Sequence, residues 1–348
     1  MRQPPLDLVG KRGWFYLFSL LILLPGIISL AIPPRLKPGI DFSSGSTFTV
    51  RFQEPPTQGE LNDAMADLGH PEARVQGTGE NELLVRTDVL RGVPSGPRVG
   101  PQPRSERDEI EDALQERFGS FLDAAGNPSD RFLEFDSIDA TISREIVRNA
   151  AIALIAASVA IFFYLWWSFR SVPQSFRFGT AAILALLHDA LLVVGVFSIL
   201  GKTIDTEVNA FFITALLTVI GFSVHDSIVV FDRIRETVAR GEERTFAESV
   251  NSSLLQTLSR SLNTSLTLVF AILALLLMGG GSIRDFLLAM LIGTVAGTYS
   301  SIFFAAQILV SWDEGDLPRF LRRVFGREEL EEEEYEEEYD SEPVGAEP

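Results

Sequence analysis

Cysteine is absent from the 348 residues, histidine occurs three times, and the long apolar stretches hold almost no charge. Absence of cysteine is common in every compartment, so it locates nothing. Three histidines are too few for a metal cage. No G-x-x-x-x-G-K-[ST] loop is present to hold nucleotide phosphates, and no nucleophile stands with a positioned base. The chain is therefore not expected to be an enzyme, and no cofactor, metal or nucleic-acid partner is expected. Any work it does draws on an energy source other than nucleotide.

What the sequence has in quantity is apolar residues, 46% of the total, gathered into six blocks at 14–32, 150–167, 178–200, 208–231, 262–278 and 286–310. Each is close to the roughly 17–25 residues a membrane-spanning helix needs. The class is a polytopic α-helical membrane protein embedded in lipid. The first block is long, and its end, Ala31-Ile32-Pro33-Pro34, lacks a small-residue cleavage pattern, so it reads as an uncleaved anchor.

Positive charge sets the expected orientation. Arg2, Lys11 and Arg12 precede the first span; Arg170 and Arg177 lie between spans two and three; Arg233, Arg235, Arg240, Arg244 and Arg260 lie between four and five; and Arg319, Arg322 and Arg323 follow the sixth. The opposite short loops carry only Lys202 and Arg284. Both termini are then cytoplasmic. The formal charge of −18 comes mostly from the Glu-rich stretch after Glu328, which has too few apolar side chains to offset the entropy of ordering.

The expected divisions are 1–32, the cytoplasmic N-terminus and first span; 33–148, an external α+β domain; 149–311, spans two to six with a cytoplasmic loop at 232–260; and 312–348, an acidic cytoplasmic tail. Within the insert, residues 45–52 alternate apolar and polar as a half-buried strand does. Thr57 with Glu60 predicts a capped helix carrying Leu61, Met65 and Leu68 and stopped at Gly69; strands follow at 73–77 and 82–87. The stretch 90–104 is rich in Pro, Gly and Arg and reads as an exposed loop. Ser105 with Asp108 caps a second helix ending at Gly119, and 131–138 alternates again. The order β-α-β-β-α-β suggests a ferredoxin-like fold. The loop 232–260 carries Phe246, Val250, Leu254, Leu255 and Leu258 on one side and is expected to lie along the membrane surface.

Ionisable groups at membrane depth are few: His188 and Asp189 in span three, His225 and Asp226 in span four, and Arg260 where span five begins. A charge near the centre of a membrane helix costs at least about 2.5 kcal/mol, so each needs a reason. Asp226 sits on a stripe with Ser223 and Val230, whereas His225 shares another with Thr214, Thr218 and Gly221. Asp226 and Arg260, near the same ends of consecutive spans, are expected to form an ion pair that protonation of the acid would release. His188 and Asp189 point about 100° apart and are not expected to face one centre. The competing account makes all these groups structural, with Arg260 reaching toward the phosphate level. Ser261, Thr264, Ser265, Thr267, Gly293, Ala296, Gly297, Ser300 and Ser301 are read as small residues for close helix packing.

Three motifs resemble the SecD/SecF protein-export family of the RND superfamily, and specifically its SecF members. Gly39-Ile-Asp41-Phe42 followed by Gly45-Ser-Thr47 resembles the G-I-D-F-x-G-G-T element after span one. Gly221-Phe-Ser-Val-His-Asp-Ser-Ile-Val-Val-Phe-Asp-Arg-Ile-Arg-Glu236, which includes Asp232 and Arg233, resembles the span-four signature. Ser259-Arg-Ser-Leu-Asn-Thr-Ser265 resembles the element opening span five. Ser44 stands where the family usually has glycine, and His225 where asparagine is frequent. The resemblance implies a subunit that works with SecD to pull preprotein outward from the SecYEG translocon at the expense of the proton motive force, in the bacterial cytoplasmic (inner) membrane. It also implies that Asp226 and Arg260 lie on the proton route. An RND-type small-molecule exporter subunit and a passive translocon scaffold are the alternatives.

Overall fold

The computed structural model describes residues 6–79, 81–92, 104–170, 175–204, 206–241, 243–278 and 283–316. Most of the proline-rich stretch 90–104 and all of the acidic stretch 328–348 lie outside the described residues, as does most of the turn after Met278.

The apolar run after Arg12 forms helix α1 (Arg12–Ala31), which ends where Pro33 and Pro34 remove backbone donors. A one-turn helix α2 (Ile40–Ser43) then occupies the G-I-D-F motif, an element that periodicity could not show in four residues. Ser44, at φ 61° and ψ 164°, and Gly45, at φ 137°, reverse the chain into strand β1 (Gly45–Arg51). The first of these is a conformation that glycine adopts freely and serine does not.

Next come α3 (Gln58–Asp67), β2 (Arg74–Gly79), β3 (Glu82–Thr87) and α4 (Glu106–Phe118). A hairpin of two-residue strands follows, β4 (Phe121–Leu122) with β5 (Pro128–Ser129), and then β6 (Glu134–Ile138). Both helices open on the expected capping boxes, Thr57 with Glu60 and Ser105 with Asp108. The sheet order is β2-β3-β1-β6, every neighbour antiparallel, which is the ferredoxin-like arrangement. The last strand starts at Glu134, three residues later than its alternation suggested, because the β4–β5 hairpin and Phe132 fill the approach. Phe48, Val50, Phe52, Leu61, Met65, Leu114 and Phe121 close the core between sheet and helices.

Five further spans follow: α5 (Ala140–Ser168), α6 (Ser175–Thr203), α7 (Ala210–Arg240), α8 (Phe246–Met278) and a sixth running Arg284–Asp313. With α1, six helices among the described residues are long and apolar enough to cross a membrane. The sixth is not uniform. It comprises α9 (Arg284–Ser300), a π-helical segment Ser301–Ala305 and α10 (Ala306–Asp313).

Glycines bring two pairs of helices into close approach. Gly26 of α1 lies against Gly195 of α6 so closely that a Cβ on either would stand 2.8 Å from the other's Cα. Gly293 and Gly297 of α9 face Val219 and Ser223 of α7, with a Cβ on them 2.4 and 2.9 Å from those side chains. The G-x-x-x-G spacing therefore marks a real approach of two helices.

The segment 232–260 corrects the sequence reading. It is no surface-lying loop: α7 continues to Arg240, Gly241 turns the chain in the left-handed region (φ 63°), and α8 starts at Phe246 and runs unbroken into span five. Val250 and Leu254 are buried with Val230, Phe231 and Ile234 of α7, so the apolar stripe is covered by a neighbouring helix instead of lipid. Asn251 adds a clamp. Its Oδ1 accepts from Leu8 N (2.8 Å) and Val9 N (3.3 Å), while Nδ2 donates to Leu6 O (3.1 Å).

Candidate ion-coupling site

Helix α7 positions the site. Its 31 residues span about 46 Å, more than a bilayer core, and Asp226 stands near the midpoint. Rotation about that axis separates two faces. Ser223, Asp226 and Val230 are buried, whereas Thr214, Thr218, Gly221 and His225 are exposed on the outer surface of the chain.

The Asp226 side chain, 6% exposed, is held by hydroxyls from two other helices. Oδ1 accepts from Ser261 Oγ of α8 (2.7 Å), and Oδ2 accepts from Ser301 Oγ at the head of the π segment (2.6 Å). The expected Asp226–Arg260 ion pair is not formed. Arg260 and Ser261 are consecutive on α8, so their side chains diverge by about 100°, and Ser261 is the one that faces inward. Arg260 is exposed and joins no ion pair among the described residues.

A second carboxylate lies one helix away. Asp189 of α6 is fully buried; Oδ2 accepts from Ser223 Oγ (2.6 Å) and Ser300 Oγ (2.7 Å), and Oδ1 lies 3.0 Å from His188 Nδ1. The expectation that adjacent His188 and Asp189 do not share a centre is thus wrong. Their Cβ atoms diverge, but the imidazole is long enough to turn its Nδ1 back onto the neighbouring carboxylate. The ring also stacks on Phe304 of the π segment, centroids 4.6 Å apart. His188 Nε2 and both polar atoms of Gln307, itself fully buried, find no hydrogen-bond partner among the described residues.

The G-I-D-F motif of α2 meets the N-terminal end of α7. Asp41 Oδ2 accepts from Ala210 N (2.7 Å), the first residue of α7, beside the helix's own cap, in which Asn209 Oδ1 accepts from Phe212 N (2.9 Å). Gly39 N donates to Val208 O (2.6 Å), and a Cβ on Gly39 would lie 3.0 Å from Asn209 Cβ. Phe42 packs with α5 and α7, where it lines an apolar groove with Ala150, Ala151, Leu154, Ile213 and Leu216. Gly45 leaves no room for a side chain beneath Thr87 O. Arg86 of β3 and Lys37 both pair with Glu207 just before α7. The motif thus ties the base of the α+β domain to the start of the helix that carries Asp226.

At the other end of α7, exposed Asp232 pairs with Arg235 (2.6 Å), and Arg233 bonds Gln256 of α8 (2.7 Å from Nε) and Glu236. Gly221 has nothing within 4 Å of where a Cβ would stand. No group of three His, Asp or Glu that could hold a metal ion occurs among the described residues. The serines are what sequence reasoning missed. Ser261, Ser300 and Ser301 were legible as small residues, and only the helix rotations reveal them as donors to two carboxylates.

Comparison with known proteins agrees with this architecture. The SecD/SecF C-terminal model of protein export membrane proteins matches residues 120–315, and the SecD/SecF GG motif matches residues 30–56. The chain is 45% identical over 318 residues to protein translocase subunit SecF of Thermobaculum terrenum, covering 91% of this chain and 97% of that one. It is 38% identical to SecF of Anaerolinea thermophila over 91% of this chain and 97% of that one. The crystal structure of SecDF from Thermus thermophilus, a translocon-associated membrane protein, superposes with a TM-score of 0.71 at 32% identity over 90% of this chain. The present chain spans 39% of that longer one. With the family model covering more than half of the sequence and SecF relatives matched nearly end to end, the chain belongs to the SecF branch of the SecD/SecF family of protein export membrane proteins.

Proposed function

We propose that the chain is the SecF partner of a SecD subunit. Together they use the proton motive force to draw preprotein emerging from SecYEG across the bacterial cytoplasmic membrane, with Asp226 as the proton-responsive group. One observation carries the reading: a carboxylate at the middle of a membrane-spanning helix, buried, is bonded to two neutral hydroxyls and, among the described residues, to no cation. A permanent ion pair would fix the charge. Hydroxyl donors support the anion while leaving protonation within reach of a gradient, because a hydroxyl serves equally as donor and acceptor.

The remaining assignments follow from that frame. Both termini face the cytoplasm by the distribution of Arg and Lys, and the α+β domain, 33–148, faces outward where preprotein emerges. The exposed stripe Thr214, Thr218, Gly221 and His225 on α7, together with the exposed Arg260, Asn263 and Thr267 on α8, supports SecD as the partner. Polar groups on the outside of a membrane bundle are costly toward lipid and fit a second helical bundle. Arg260 then acts from that interface, not as the ion-pair partner of Asp226.

The test is gradient-driven completion of preprotein export in membranes carrying this chain with SecD, wild type against Asp226→Asn. Loss of the gradient-dependent part, at least ten-fold, with the complex still assembled is the expected result. Unchanged export would make the carboxylate structural and the subunit a scaffold.

A further inference from the structure

A serine hydroxyl has a single proton to donate, and two serines of the sixth span each have two acceptors in reach. Ser301 Oγ lies 2.6 Å from Asp226 Oδ2 and 3.1 Å from Thr298 O. Ser300 Oγ lies 2.7 Å from Asp189 Oδ2 and 3.3 Å from Gly297 O. Each hydroxyl satisfies one acceptor at a time.

Resting on the proton-coupling reading above, we propose that Ser301 is a positioning residue that converts the protonation state of Asp226 into a change of hydrogen bonding within the sixth span, with Ser300 standing in the same relation to Asp189. With Asp226 ionised, the Ser301 hydroxyl donates to Oδ2. When a proton from the aqueous phase arrives on Oδ2, the carboxyl O–H becomes the donor and Ser301 Oγ the acceptor. The serine proton rotates about the Cβ–Oγ bond onto Thr298 O. No covalent bond of the serine breaks, and loss of the proton from Asp226 reverses the sequence.

The place where this happens gives it mechanical meaning. A hydroxyl bond onto a carbonyl in the preceding turn competes with the helix ladder and bends the helix. Ser301 is the first residue of the π segment, where the ladder is already offset, and such segments are rare and concentrated at functional sites. Ser300 and Ser301 are consecutive, so one short backbone stretch is bonded to a carboxylate on α6 and to another on α7. Phe304, in the same segment, lies against His188, whose Nδ1 faces Asp189. The ionisable groups around the pair are His188 and Asp189 from α6, Asp226 from α7 and Tyr299 from α9 itself. His225 on α7 and Arg260 on α8 are exposed, and among the described residues neither carboxylate is paired with Lys or Arg.

The experiment measures gradient-driven export against pH, with the full chain and SecD in membranes, for wild type, Ser301→Ala, Ser301→Thr and Asp226→Asn. Removing the Ser301 donor disfavours the anion. Ser301→Ala should therefore move the midpoint of the pH dependence upward by about one unit, with a loss of rate of about ten-fold near neutrality. Ser301→Thr, which keeps the hydroxyl, restores both. If Ser301→Ala does not assemble, Ser301→Cys keeps the size with a weaker donor and shifts the midpoint in the same direction by less. A wild-type midpoint in an assembled Ser301→Ala or Ser301→Cys complex, or a Thr variant as defective as the Ala one, overturns the inference while leaving Asp226 as the coupling group. Full export by Asp226→Asn overturns the coupling reading and this inference with it.

Discussion

The α+β domain and the helical bundle both bury large apolar side chains, and they differ in what they leave outside and in which polar groups they enclose. In the domain the largest fully buried side chains include Phe48, Phe52, Leu61, Met65 and Phe121, and few large apolar side chains are exposed, whereas Thr47 and Arg51 on β1 are only partly covered. In the bundle Leu21, Ile155, Leu187 and Phe270 point outward, while Asp189, Ser223, Ser261, Ser300, Ser301 and Gln307 are inside. The chain is the same; the solvent differs. Facing water, an apolar side chain gains by burial and a hydroxyl gains nothing by leaving its hydration. Facing lipid, an apolar side chain loses nothing by staying outside, and a hydroxyl finds partners only within the protein. Polar chemistry is therefore concentrated at the centre of the bundle, where a carboxylate can be supported.

The largest effect should come from truncating the domain core. Phe48 is stacked on Phe132, centroids 4.1 Å apart, and is 1% exposed. Phe48→Ala should cost about 3–5 kcal/mol. Amide hydrogen exchange on the whole chain should show lost protection in β1, β3 and β6 while the backbone of α7 and α9 stays protected. Loss spread equally over both parts would break the contrast between them.

A substitution of similar kind separates packing inside the bundle from packing against a partner. Gly293→Leu drives a side chain into Val219 and should lower the melting temperature of the chain in detergent, by about 1–3 kcal/mol of overpacking. Gly221→Leu meets nothing within 4 Å. It should leave that melting temperature unchanged and weaken co-purification with SecD, because Gly221 lies on the exposed polar stripe of α7. Equal destabilisation by both would mean that this stripe is packed within the chain.

The sequence showed the parts whose signal is periodic or local. Six spans followed from apolar runs, the strands from alternation, and two helix starts from the pairs Thr57–Glu60 and Ser105–Asp108. It did not show what depends on helix rotation. Charge complementarity pointed from Asp226 to Arg260, and a turn of 100° along α8 put Ser261 there instead. The stripe Phe246, Val250, Leu254 and Leu258 was visible, but a stripe has the same period whether lipid or α7 covers it. The role of Asp41 needed the fold outright, since it caps a helix that begins 169 residues later.

The smallest effect lies at the junction of the two regions, where water still reaches the chain. Asp139 precedes α5, and its Oδ1 accepts from Ile142 N (3.1 Å) and Thr141 N (2.7 Å). These bonds, that from Ile142 foremost, hold its carboxyl below the usual carboxylate range. A depressed value in the folded state means that the charged cap contributes stability above the unfolded-state value, about 3.9, and that the contribution is lost as pH falls through the folded-state value. Asp139→Asn retains an acceptor without the charge. Its melting temperature should lie slightly below wild type at pH 7, and the gap should close as the buffer is taken to about pH 3 and below. A gap independent of pH would show that the cap acts through its shape alone, and that electrostatics at this junction resemble the neutral hydroxyl bonding of the bundle more than the charged, water-facing surface of the domain.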